Sequence, residues 1–254
     1  MRPDTGDVRR ALEPFGVSRE TESQLVHFVE MLNRWQRTHN LVSATSLDQV
    51  WSRHVADSAQ LAFRFREGGR WLDLGSGAGF PGIVIAIMIA NRSGAHVHLV
   101  EADRKKAAFL SVVSAELGLP TTVLAERIES VVQRWSQPLD WVSVRGLAPL
   151  KTLCEWLEPL VGIGAHAVLL KGANFDVELS AIESAWDIDL VRYPSLIDSH
   201  GSVVEIRRLK RRSGNRTGGQ DDNSVRIQNG NSSLAARDRA RQPEGRRRQD
   251  DDGD

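Results

Sequence analysis

Four glycines, at positions 75, 77, 79 and 82, stand between one acid and one apolar run. Asp73 lies in the short hydrophobic stretch Trp71-Leu72-Asp73-Leu74, and residues 83–90 are apolar throughout. A strand that turns through glycines into a helix lets a ligand approach the main chain closely. It also aims free N–H groups of the first helical turn at a polar or anionic group. Pro81 suits that first turn, where its missing N–H costs nothing. The chemistry such residues could do is to hold a nucleotide-like cofactor. Gly77, Gly79 and Gly82 satisfy the G-x-G-x-x-G spacing, and Glu101 follows about 20 residues on. That pattern fits NAD and S-adenosylmethionine alike. Three details favour the second. The Gly75–Gly79 cluster follows Asp73 directly, an acid suited to the charged amino-acid part of the cofactor. The loop need not be shaped for a pyrophosphate. Glu101 ends the stretch His98-Leu99-Val100-Glu101, where its carboxylate can accept both ribose hydroxyls. An NAD-dependent oxidoreductase stays open as the alternative.

These residues need a frame. Strands are predicted near 70–74, 96–101, 121–125, 139–145 and 165–170, with helices near 81–91, 104–118, 128–136, 148–161 and 176–185. Two more strands close the series near 188–193 and 202–209. Alternation of this kind implies an α/β fold with a mostly parallel sheet covered on both faces, and the closing pair suggests an antiparallel edge. Before it, Leu25, Phe28, Val29, Leu32 and Trp35 repeat with helical period over 20–38. A second helix is predicted from Ser46, a good N-cap, to about Phe65. The organisation expected is a helical N-terminal extension (1–66), a cofactor-binding domain (67–210) and a tail (211–254). The tail is rich in Arg, Asp, Gly, Asn, Ser and Gln, a composition that favours a solvated, disordered segment. An auxiliary RNA-binding arm is the other reading of it.

Composition bounds the function classes. The hydrophobic fraction of 41% and seven tryptophans support a real core. Formal net charge is zero, so any polyanion partner must be met by a local patch. Cys154 is the single cysteine, which excludes a disulfide framework and a multi-cysteine zinc site. No apolar run reaches the roughly 20 residues of a membrane span, and the start does not read as a signal peptide. The expectation is a soluble, cytoplasmic, monomeric protein without a metal.

Several words of the sequence then matter by their order. Trp35-Gln36-Arg37-Thr38-His39-Asn40-Leu41 and His54-Val55-Ala56-Asp57-Ser58 precede the glycine loop. Phe80-Pro81-Gly82, Lys105-Lys106-Ala107-Ala108-Phe109-Leu110, Arg127-Ile128-Glu129, Val144-Arg145-Gly146 and Leu170-Lys171-Gly172 follow. Over about residues 25–209 this set resembles the RsmG (GidB) family of 16S ribosomal RNA guanine-N7 methyltransferases. The resemblance implies a Rossmann-like class I methyltransferase fold and S-adenosyl-L-methionine as cofactor. As substrate it implies one guanine of 16S ribosomal RNA, free or within the 30S subunit or its precursor. It places cofactor contacts on Gly75, Phe80, Ile128, Glu129 and Arg145, beside the Gly77 and Glu101 read from the loop itself. The sequence departs from the family's pattern at Val42, where Thr is usual, at Gly146, where Ala is usual, and at Glu101, where Asp is usual. A same-fold methyltransferase acting on a small molecule or a protein is the competing enzyme.

Guanine N7 carries a lone pair and no proton, so its methylation needs alignment and no general base. The candidates for catalysis are therefore positioning groups, Arg145 and Lys171. Arg145 ends the fourth strand and could bind the cofactor carboxylate, the guanine O6 edge or a phosphate. Lys171 ends the fifth and could meet an RNA phosphate. His54 and Asp57 share one helix face, placed either at the cofactor mouth or in a helix-packing network. Arg34, Arg37 and His39 form either an RNA-facing patch or a solvated helix face. Cys154 falls inside a predicted helix, as a buried core residue would.

Overall fold

The computed structural model describes residues 5–43, 47–212 and 225–231. Its frame is one eight-stranded sheet: β1 (Arg70–Leu74), β2 (His96–Val100), β3 (Thr121–Leu124), β4 (Trp141–Arg145), β5 (His166–Lys171), β6 (Trp186–Pro194), β7 (Ser202–Arg211) and β8 (Val225–Asn229). The spatial order is β3-β2-β1-β4-β5-β7-β6-β8. The first five strands are mutually parallel. β7 runs against both β5 and β6. The antiparallel strand thus lies inside the sheet, inserted between two parallel-running strands.

Successive strand residues point to opposite faces, and both faces are buried. Trp71, Leu99 and Val168 join one core cluster, while Leu72, Val100 and Leu169 join the other. The first cluster is closed by α1 (Thr5–Leu12), α2 (Arg19–Gln36), a π-helix (Val50–Ala56), α3 (Asp57–Arg64), α4 (Gly82–Ile89) and α5 (Arg104–Glu116). The second is closed by α6 (Ile128–Arg134), α7 (Leu150–Gly162) and α8 (Phe175–Ser180). The α2 stripe of Leu25, Phe28, Val29 and Leu32 is buried as its period predicts, and Ser18 caps the helix through Thr21 N–H. α4 is apolar all round and buried at every position but half-buried Met88, as a helix without a polar face must be. No helix among the described residues is long and apolar enough to cross a membrane.

Three expectations change. The helix predicted over 46–65 divides into a π-helix followed by α3, and Ser46 lies outside the described residues. A short helix, α1, precedes α2 where none is predicted. The segment read as a solvated tail contributes β8, which pairs in parallel with β6 from Ile188↔Val225 to Arg192↔Asn229. Main-chain pairing asks little of side chains, so a polar strand with one half-buried residue, Val225, can extend a sheet. The other tail residues, 213–224 and 232–254, lie outside the described part.

Candidate active site

The glycine loop is tied down before any ligand arrives. Gly75 and Ser76 both donate main-chain N–H to Val100 O, at 3.0 and 2.9 Å, which pins the loop to the end of β2. Asp73 is fully buried beneath it. One carboxylate oxygen accepts Gly82 N–H at 3.1 Å and the other accepts Ser143 Oγ–H at 2.7 Å. Burial pushes its carboxyl up to about 6. The structure therefore gives Asp73 the work of joining β1, β4 and the first turn of α4. Gly75 has φ +72, and a Cβ there would come 2.6 Å from Leu147 Cδ1. Gly77 has φ +55, and a Cβ there would meet Gly75 O in ordinary contact at 3.8 Å and nothing nearer. The loop's upper side is thus a cradle that any side chain would fill, which fits a cofactor laid against the main chain.

Glu101 stands at the same edge of the sheet. Its two oxygens accept Gly77 N–H and Asp103 N–H, both at 2.8 Å. The carboxylate sits one residue past β2, against the loop. Ile128 and Glu129 open α6 beyond β3, again at this edge. Glu129 is exposed there, and Ile128 packs against the core beneath the second face of the sheet.

Phe80 turns away from the loop into the helical extension. Its ring stacks on His54 (centroids 5.0 Å, 26° between planes) and tilts against Phe28 at 5.2 Å. His54 belongs to the π-helix and meets Arg145 through its other contacts. Arg145 Nη2 donates to Arg53 O and to His54 Nδ1, each at 2.7 Å, and Arg145 Nε lies 3.4 Å from Asp57 Oδ2. Burial, then the neighbouring Arg145 and Arg53, hold the His54 imidazole down at about 4, so it is neutral at physiological pH. A neutral ring can accept at Nδ1 while Nε2 keeps the proton. Nε2 is buried without a hydrogen-bond partner. The His54–Asp57 pair therefore serves as a clamp on the guanidinium, and Phe80 joins that clamp to the glycine loop. A π-turn widens the helix by one residue and often marks a functional site. Here Arg53 O, within the π-turn, accepts from the Arg145 side chain.

Beyond Arg145 the edge opens into a cleft of about 510 Å³ between the π-helix, the ends of β4 and β5, and the β6–β7 loop. Lys171 lines it, with Nζ donating to Glu178 Oε2 at 2.7 Å. That same oxygen accepts Leu150 N–H at the start of α7. Lys171 is thus held by an acid of α8 at the cleft wall. Arg34, by contrast, faces Glu116 of α5 at 3.7 Å. Cys154 is buried in α7, and burial pushes its thiol up to about 12.

The structure brings Gly75, Gly77, Glu101, Ile128, Glu129, Arg145 and Lys171 to one edge of the sheet, with Phe80 packed behind them. Sequence reading missed Arg53, Gln60, Glu178 and the Ser195–Gly201 loop. Gln60 is buried in α3, takes Leu196 N–H at 3.1 Å and donates to Asp57 at 2.7 Å. Its partners in the β6–β7 loop, Ser195 and Leu196, lie 135 and 136 residues away, beyond any local pattern. A polar residue amid the apolar positions of α3 was the one signal that could have found it.

Residues 21–204 match the family described as rRNA small subunit methyltransferase G. The chain is 44% identical over 210 residues to ribosomal RNA small subunit methyltransferase G of Rhodopseudomonas palustris, covering 83% of this chain and 90% of that one. It is 45% identical over 202 residues to the protein of the same name from Methylorubrum populi, covering 80% and 95%. Among solved structures it is similar to an SAH-bound methyltransferase of Podospora anserina, with TM-score 0.54 and 12% identity over 82% of this chain and 98% of that one. It is similar also to cofactor-bound Rv0187 from MTB, with TM-score 0.53 and 16% identity over 82% and 100%. At such identity these two likenesses concern the fold.

Proposed function

The chain belongs to the rRNA small subunit methyltransferase G family, and from that premise we propose that it methylates N7 of one guanine in 16S ribosomal RNA, using S-adenosylmethionine. The observation that carries the reading is adjacency. The glycine loop after β1 and the cleft after β4 and β5 lie side by side on the carboxyl edge of one sheet, where ligands dock in open α/β folds.

The cofactor, when bound, supplies an electrophilic methyl group on a sulfonium sulfur. The chain's part is to hold and to align. Gly75 and Gly77 would offer main chain to the cofactor, Glu101 its carboxylate to ribose hydroxyls, and Ile128 and Glu129 a flank for the adenine ring. Arg145 and Lys171 border the acceptor. N7 attacks with a lone pair that bears no proton, so no residue has to remove one. Positive charge grows on the base instead, and Arg145 meets it already paired with Asp57. Alignment of this kind lowers barriers by several kcal/mol.

The test is transfer of labelled methyl into 30S subunits from cells that lack the activity, followed by mapping of the modified nucleotide. Label in N7-methylguanine of 16S RNA is expected. No label in RNA overturns the substrate, and label at another atom overturns the position.

A further inference from the structure

We infer that Asp198, in the β6–β7 loop, reads the N1–H and N2–H edge of the target guanine and so sets the base specificity of the cleft. The inference rests on the guanine reading above and deepens it.

Two carboxylates line the cleft among the described residues, Asp57 and Asp198. Asp57 is committed, since Oδ1 accepts from Gln60 and Oδ2 faces Arg145. Asp198 is exposed, and its carboxylate accepts the N–H of His200 on Oδ1 at 2.9 Å. Its backbone is fixed. Ser195 Oγ accepts Ile197 N–H and Asp198 N–H, each at 3.2 Å, and Gly201 N–H closes on Asp198 O at 3.0 Å. Buried Gln60 anchors the loop from below by accepting Leu196 N–H. Asp198 is therefore a charged acceptor presented on a preorganised wall.

Position along the sheet does the rest. From the glycine loop the edge runs past Arg145 on β4 and Lys171 on β5 to the β6–β7 loop, since Ser202 of β7 pairs with Lys171. Guanine has acceptors, N7 and O6, on one edge. Its N1–H and N2–H donors lie on the edge away from N7. A base that offers N7 toward the glycine loop turns those donors toward the far wall. O6 then lies on the side of the two cations. A carboxylate matches two parallel N–H donors, and adenine has no such pair.

Reconstituted 30S subunits test this, with 16S RNA carrying guanine or inosine at the methylated position. Inosine keeps N7, O6 and N1–H and lacks only the 2-amino group. Wild type should show kcat/KM roughly ten- to hundredfold lower on inosine. Asp198→Ala should fall by a similar factor on guanine and then treat the two bases alike. Asp198→Asn should lie between. S-adenosylhomocysteine affinity and the melting temperature should stay at wild-type values, because the residue is exposed and remote from the glycine loop. Asp198→Ala keeping the wild-type guanine-to-inosine ratio overturns the inference, as does a wild type indifferent to inosine, while both leave N7 methylation standing. A wild type that labels no guanine N7 overturns both readings together.

Discussion

At the scale of single residues, the clamp on Arg145 is the most exposed to test. His54 must be neutral to accept from a guanidinium, and its imidazole is held at about 4. Above pH 6.5 a histidine is neutral in both folded and unfolded chains. Between 6.5 and about 4 the unfolded chain takes up a proton that the folded chain refuses, so stability falls as pH falls. Allowing for partial exposure, the loss is on the order of 1–2 kcal/mol. Asp73 works in the opposite sense. Its carboxyl, raised to about 6, favours the fold below the ordinary aspartate range and loses that contribution as pH rises through 6. Comparing wild type with His54→Asn separates the two. The gap in melting temperature between them should shift against wild type from pH 6.5 down to 4, and a constant gap would refute a neutral His54. Arg145→Ala removes the donor to Arg53 O and His54 and leaves half-buried Asp57 without its cation. We expect about 1–3 kcal/mol of stability to be lost and methyl transfer to drop by about a hundredfold or more. Arg145→Lys keeps the charge without the fork and should restore stability better than rate. Parallel melts and single-turnover assays check both, and equal loss of rate and fold would return Arg145 to a purely structural role.

At the scale of elements, the loop and the π-helix carry different lessons. Gly77→Val places a β-branched residue at φ +55, with Gly75 O in ordinary contact 3.8 Å from its Cβ. The strain costs about 1–3 kcal/mol, and the side chain occupies the cradle. S-adenosylhomocysteine affinity by calorimetry should fall at least tenfold while the circular dichroism spectrum is kept, and unchanged affinity would falsify the placement of the site. That loop was legible because glycine, acid and apolar run are local signals with local causes. So were the strands, whose alternating contributions to two cores follow from sequence period. The π-turn was not, because Val50, Trp51 and Val55 fill apolar positions in either helix type, and all three are buried as expected. Nor was the Arg145–His54 contact legible, because it spans 91 residues. The ordered words pointed to both residues without saying that they touch. β8 escaped for a third reason, since its tie to β6 is main-chain pairing and its composition is that of a solvated segment.

At the scale of the whole molecule, β8 is an addition to a sheet that already closes its core without it. Ending the chain after Arg212 removes five ladder residues and the Arg64 contact to Asn231 O, and little apolar burial. The truncated protein should melt a few degrees lower and retain methyl transfer to 30S subunits. A drop in rate of more than tenfold without a change in melting temperature would instead show the tail engaging RNA. The reversed β7 has a larger consequence. Because it runs against its neighbours, the β6–β7 turn comes back to the very edge where the parallel strands end. One wall of the cleft beside Arg145 is therefore a hairpin tip, outside the crossover helices that follow the parallel strands. Lengthening such a tip is thermodynamically cheap, about 0.6 kcal/mol per doubling. Evolution can thus redraw what this scaffold methylates by insertion at residues 195–201, leaving untouched the half that holds the methyl donor.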